Sequence, residues 1–173
     1  MVRRLPPAAS RRAIRDHVGL RAERSDDAPF VYRLYASTRA DEMALVPWDP
    51  EEKDAFLRMQ FRFQTLHYRR AYPGAAFEIV LLDGRPVGRL YTDRGKEEIR
   101  VIDIALVPGY RGAGIGTELL RGLLSEAAAL NKAVSVRVER QNRAVRLYTR
   151  LGFRVVADQG MYLVMEAGRL RGG

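Results

Sequence analysis

The stretch Val107-Pro108-Gly109-Tyr110-Arg111-Gly112-Ala113-Gly114-Ile115-Gly116-Thr117-Glu118-Leu119-Leu120 constrains this chain more than any other. Ahead of it, residues 99–107 form an apolar, β-branched run with the length and composition of a buried strand. Behind it, Ile115, Leu119, Leu120, Leu123, Leu124 and Ala127 recur on one helical stripe. Glycines at alternate positions, Gly112, Gly114 and Gly116, join the two. A glycine turn running into a helix leaves backbone N–H groups without intrahelical partners, and the helix dipole adds partial positive charge at the same place. Such a turn is an anion cradle suited to phosphate. The alternative is a plain connection whose glycines only relieve backbone strain.

The spacing narrows the ligand. A dinucleotide fingerprint needs its third glycine at the sixth position, where this chain has Thr117. A P-loop needs a lysine and a hydroxyl residue after the last glycine, and neither follows Gly116 in that order. What is left, Arg111-x-x-Gly114-x-Gly116 between a strand and a helix, resembles the acetyl-CoA-binding motif of the GCN5-related N-acetyltransferase (GNAT) superfamily.

The rest of the chain can be laid out around this unit. Residues 1–12, with Pro6, Pro7 and four arginines, read as a basic leader. A strand is expected within 13–24. Ser25-Asp26-Asp27-Ala28-Pro29 reads as a helix start, with Phe30, Val31, Leu34 and Tyr35 on one face. Periodicity breaks over 38–50, a loop that carries Trp48, the only tryptophan. A second helix over about 51–70 places Phe56, Met59, Phe63 and Leu66 at helical spacing, with Arg58, Arg62, Arg69 and Arg70 as its polar face. Two strands, 77–82 and 86–91, flank the hairpin signal Asp83-Gly84. The long strand 97–107, the cradle and its helix to about Leu130 follow. A strand over 133–138, a short helix over 142–151 ended by Gly152, and strands over 153–156 and 161–165 complete the chain.

This order is the one the resemblance implies, over roughly residues 13–166. The expected fold is α/β (α+β): a mixed, mostly antiparallel twisted sheet of about seven strands, flanked by about four helices. It forms one domain, with residues 167–173 as a tail.

The resemblance also implies an N-acetyltransferase that passes an acetyl group from acetyl-CoA, its cosubstrate, directly to an amine of a small molecule or a protein. The cofactor contacts that carry over are the backbone of Ile104, Ala105, Leu106 and Val107 for the pantetheine arm. For the pyrophosphate they are Arg111, Gly112, Ala113, Gly114, Ile115, Gly116 and Thr117. A family motif similar to Asn-x-x-Ala-x-x-x-Tyr places the proton donor to the leaving thiolate at Tyr148, followed by Gly152-Phe153. The asparagine departs from that pattern: Gln141 stands at its position and Asn142 one place later, so either amide is a cofactor contact. Tyr148 also lies on the apolar stripe of its helix, where core packing is its other reading.

The general base has two candidates. Glu98 lies at the start of the long strand, where several family members carry a glutamate. Asp103 is a lone carboxylate inside an apolar strand, and it must be paired or hydrogen-bonded if buried. Glu42 and Trp48, in the loop that builds the acceptor pocket in this family, suit a cationic amine. Trp48 as a core plug is the alternative.

Composition excludes several chemistries. With no cysteine there is no disulfide framework, thiolate nucleophile or cysteine metal site, and His17 and His67 stand far apart, so no metal is expected. No nucleophile-elbow motif is present. The net charge is +9, and residues 1–24 carry seven arginines against two acids. That arm is either a solvated terminus or a phosphate-binding segment, which keeps a nucleic-acid-binding module as a rival class. An acyl-CoA sensor without turnover is the other rival. The absence of a long apolar run or a secretory h-region leads to the expectation of a cytoplasmic protein without membrane contact. A homodimer is compatible with the family, but no segment identifies its interface.

Overall fold

The computed structural model describes residue 14 and residues 16–168. The basic leader and residues 169–173 lie outside the described residues. Strand β1 (Val18–Ala22) is followed by a 3-10 turn (Ser25–Asp27) and helices α1 (Ala28–Thr38), α2 (Ala40–Ala44) and α3 (Pro50–Ala71). Strands β2 (Ala76–Leu82), β3 (Arg85–Arg94) and β4 (Glu98–Leu106) lead through a second 3-10 turn (Pro108–Tyr110) to α4 (Ile115–Ala129). Strand β5 (Ala133–Glu139), α5 (Ala144–Arg150), β6 (Arg154–Gln159) and β7 (Tyr162–Gly168) close the fold.

The seven strands form one sheet in the order β1-β2-β3-β4-β5-β7-β6, and β4–β5 is its one parallel pair. Asp83 and Gly84, both at positive φ (50° and 76°), make the tight β2–β3 turn that the sequence signals. A Cβ on Gly88 would sit 2.4 Å from the Ala105 carbonyl oxygen, so only glycine lets β3 and β4 approach there.

One face of the sheet is covered by α4 and α5. Ile115, Leu119, Leu120, Leu123 and Ala127 are buried on α4 and pack with Val80, Leu90, Ile99, Val101, Val134 and Met165 in one apolar cluster. The other face carries α1 and α3, docked on each other through Phe61, whose ring lies 5.6 Å from that of Tyr32 and 5.4 Å from that of Tyr35.

Four sequence expectations change. The stretch 38–50 contains the short helix α2, so there are five helices, four of them seven residues or longer. Ser25 opens a 3-10 turn rather than capping α1; Asp27 is the residue at the cap, and its carboxylate accepts the Arg24 N–H at 2.8 Å. The last strand takes in residues 167 and 168. The largest change is the rotation of α3. Its inward residues are Leu57, Phe61, Gln64 and Tyr68, and the expected stripe of Met59, Phe63 and Leu66 faces outward. The strands beneath α3 present polar groups, and a facing helix must offer side chains able to bond them.

Candidate functional site

The site begins with a defect in β4. Tyr91 pairs with Asp103 and Thr92 with Val101, which leaves Ile102 as an extra residue. A bulge of this kind bends its strand. Pairing of β4 with β5 stops at Val101–Val136, so the strands part beyond it. A cavity of about 280 Å³ fills the gap, lined by residues 101–105 of β4, 136–139 of β5, Tyr148 of α5 and residues of α1, α2 and α3. Along it, β4 keeps one edge of backbone N–H and C=O groups unpaired by β5.

At the end of β4 the chain turns through the glycines. Gly112 and Gly114 have φ of 73° and 92°, a region that disfavours residues with a Cβ. The first bond of α4 runs from the Glu118 N–H to the Gly114 carbonyl, and no side chain caps this end. The N–H groups of Ile115, Gly116 and Thr117 precede that bond and have no intrahelical acceptor. Among the described residues, a Cβ on Gly112 would meet nothing within 4 Å. Arg111 bends back, its Nε donating to the Leu106 carbonyl at 2.9 Å, and so ties the turn to the end of β4.

Tyr148 is 3% exposed, its ring 5.4 Å from that of Phe153, and it lines the cavity. Burial, with the Asp103 charge second, pushes its phenol up to about 12, so the hydroxyl is protonated at neutral pH. Asn142 also lines the cavity, and its Oδ1 accepts the Ala144 N–H at 2.9 Å, which holds the start of α5 and leaves the side-chain NH₂. Gln141 is exposed and outside the lining.

The two carboxylates separate. Asp103 lines the cavity and accepts from Arg89 Nη2 at 2.8 Å and from the Tyr68 hydroxyl at 3.0 Å. Glu98 lies at the paired end of β4, opposite Ala133, with Arg100 Nη2 2.6 Å away, and is not part of the lining. Glu42, on α2, lines the cavity and pairs with Arg39 at 3.0 Å. Trp48 stands off the cavity, its ring packed edge-on to Phe56 at 5.3 Å.

Among the cavity residues that were not singled out from the sequence, Arg89, Tyr68 and Gln64 form one polar cluster with Asp103. Arg89 is 2% exposed and bridges Asp103 to Gln64 Oε1, 3.0 Å from its Nη2. Burial and the Asp103 carboxylate raise the Tyr68 phenol above its ordinary range. Beside it, the buried Tyr91 hydroxyl donates to Glu23. The available signal was Arg89 two residues from Tyr91, on the same face of an otherwise apolar strand, facing a lone strand carboxylate. Among the described residues, no group of three or more histidines or carboxylates is placed to hold a metal, and no helix is long and apolar enough to cross a membrane.

The profile of the acetyltransferase (GNAT) family matches residues 30–153 of the chain. The protein belongs to the GNAT acetyltransferase family. Solved structures agree on the fold. The PaiA N-acetyltransferase of Thermoplasma acidophilum, solved in complex with coenzyme A, is 17% identical, with 88% of this chain and 99% of that one covered at a TM-score of 0.66. An acetyltransferase of Thermus thermophilus is 22% identical, with 88% and 97% covered and a TM-score of 0.62. The ribosomal-protein-S18-alanine N-acetyltransferase of Escherichia coli is 18% identical, with 90% and 96% covered and a TM-score of 0.59. No curated protein sequence matches the chain significantly. Membership makes this GNAT protein an acyl-transfer enzyme, and the cavity at the parting of β4 and β5 is its candidate active site.

Proposed function

We propose that this GNAT protein transfers an acetyl group from acetyl-CoA directly onto the amine of a small molecule or a protein. The observation that carries the reading is that a free strand edge and a buried tyrosine line one cleft, and that the same strand, β4, runs on beyond the cleft into an uncapped, glycine-turned helix start. The residues present fit the cosubstrate: among the described residues nothing crowds a Cβ at Gly112, and no side chain caps the first N–H groups of α4. Residues 112–117 would hold the pyrophosphate through the backbone, the edge of 104–107 the pantetheine arm, and the Asn142 amide would add a contact. Acetyl-CoA supplies an acetyl group already activated as a thioester. Tyr148 keeps a proton on its Oη for the departing sulfur.

Asp103, inside the cavity, receives the proton of the incoming amine in preference to Glu98, which lies outside it. Glu42 draws a cationic acceptor toward the mouth. No cysteine exists to carry an acyl intermediate, so the amine attacks the thioester itself.

Calorimetric titration with acetyl-CoA tests the reading. Micromolar binding is expected, and Gly114→Val should abolish it, because valine at φ 92° is strained and would crowd Ile14. Equal binding by a folded Gly114→Val variant would remove the turn from the cofactor site.

A further inference from the structure

Among the described residues, the ring of Trp48 packs on Phe56 at one end of the outward face of α3, and the rest of that face is exposed. Met59, Phe63 and Leu66 are 48%, 66% and 43% exposed, and Phe56 beside them is half-buried. At 100° per residue these four share a sector directly opposite Phe61, the residue that docks α3 on α1. Glu52 and Arg70 fall in the centre of the same sector, one near each end of the helix. Both are exposed.

The sequence positions have a symmetry of their own. Glu52 and Arg70, Phe56 and Leu66, and Met59 and Phe63 stand at equal spacing on either side of Phe61. An acid therefore closes one end of the apolar stripe and a base the other, equidistant from its middle. We propose that this face is the interface of a homodimer in which α3 of one protomer packs antiparallel on α3 of its partner about a two-fold axis at the level of Phe61.

Charge selects this occupant and this direction. Antiparallel apposition puts Glu52 of each protomer against Arg70 of the other, closing both ends at once with the four apolar side chains meshed between. Parallel apposition would set Arg70 against Arg70 and Glu52 against Glu52. A two-fold contact requires a surface complementary to itself, and this one is. The stripe from Glu52 to Arg70 is about 27 Å long at 1.5 Å per residue. One helix pair of that length lies at the small end of specific interfaces, so the dimer dissociates in the micromolar range. The inward face of the same helix carries Gln64 and Tyr68 to the cavity, so dimerisation leaves the cleft open and braces its wall.

Sedimentation of the full chain over a wide concentration range tests the proposal. A reversible monomer–dimer equilibrium is expected, and Phe63→Glu should leave only monomer with an unchanged circular dichroism spectrum. Glu52→Lys and Arg70→Glu should each weaken the dimer about fivefold, since each places two like-charged pairs across the axis. Combined in one chain they should restore it, because both pairs are opposite in sign again; no interface elsewhere on the molecule would show that recovery. A chain monomeric at every concentration, a dimer indifferent to Phe63→Glu, or two charge reversals that add rather than cancel would each overturn the proposal.

Discussion

Beneath α4 the sheet presents Val80, Leu90, Ile99, Val101 and Val134, a face with no charged side chain in its buried cluster. Beneath α1 and α3 the same strands present Arg89, Tyr91 and Asp103, and the covering helix answers with Gln64 and Tyr68. The first face is held by area removed from water, which asks only for shape and volume. The second takes charges out of water, so each must find a partner or be costly. The candidate site lies on the second: the cavity borders Asp103 and Arg89, and Tyr148 of α5 reaches it from the dry side through the gap between β4 and β5.

The sharpest way to break this contrast is to remove one member of the buried pair. Arg89→Ala strands Asp103 without its counter-charge and should cost about 4 kcal/mol in urea unfolding. Arg89→Met combined with Asp103→Leu should recover most of that stability while acetyl transfer stays lost. A single-variant loss under about 1 kcal/mol would make the pair equivalent to a screened surface pair and dissolve the contrast. On the dry face, Leu120→Ala, at a fully buried position, should cost about 3 kcal/mol through the cavity it leaves, with no second substitution needed to explain it.

Tyr148 sharpens the comparison at the seam. Tyr148→Phe should lower kcat about a hundredfold with little change in the KM for acetyl-CoA, as the loss of a proton donor rather than of a binding group. An unchanged kcat would place the proton donor elsewhere. The raised phenol also acts on stability. Above pH ~10 an unfolded tyrosine releases its proton while the native one holds it to about 12, so native stability falls as pH rises through that window. The Phe variant should lose less stability between those limits in pH-dependent denaturation.

The smallest effect lies at the rim of the polar face. Hydrogen bonding from Arg21 holds the Asp27 carboxyl down to about 2, against the opposing pull of burial. Its contribution is complete above the ordinary carboxylate range near pH 4 and is lost as pH falls toward 2. Asp27→Asn should therefore flatten the acid limb of the stability profile and leave the alkaline limb unchanged.

The parts of the candidate site that the sequence proposed are those made within one short stretch. Gly112 and Gly114 could be read because a strand, a turn and a helix start follow one another in the chain, and Tyr148 because its helix and Gly152-Phe153 are contiguous with it. Asp103 was conspicuous as a lone acid, but its partners Arg89 and Tyr68 come from two other elements. Glu98 and Asp103 looked alike as strand carboxylates. Only the point where β4 leaves β5 separates them, one at the paired end and one at the open end.

Helix α3 shows where local pattern stops. It has two apolar stripes, and periodicity alone ranked the outer one, Met59, Phe63 and Leu66, as the core. The sheet chose the other, because a face holding Arg89 and Asp103 needs the polar tips of Gln64 and Tyr68 against it. The element order, the glycine turn into α4 and the family lie in the sequence itself, because turn chemistry and side-chain period act between near neighbours. The cavity, the carboxylate in it and the inward face of α3 were decided by tertiary structure, because the desolvation of charges is resolved only by partners brought from elsewhere in the chain.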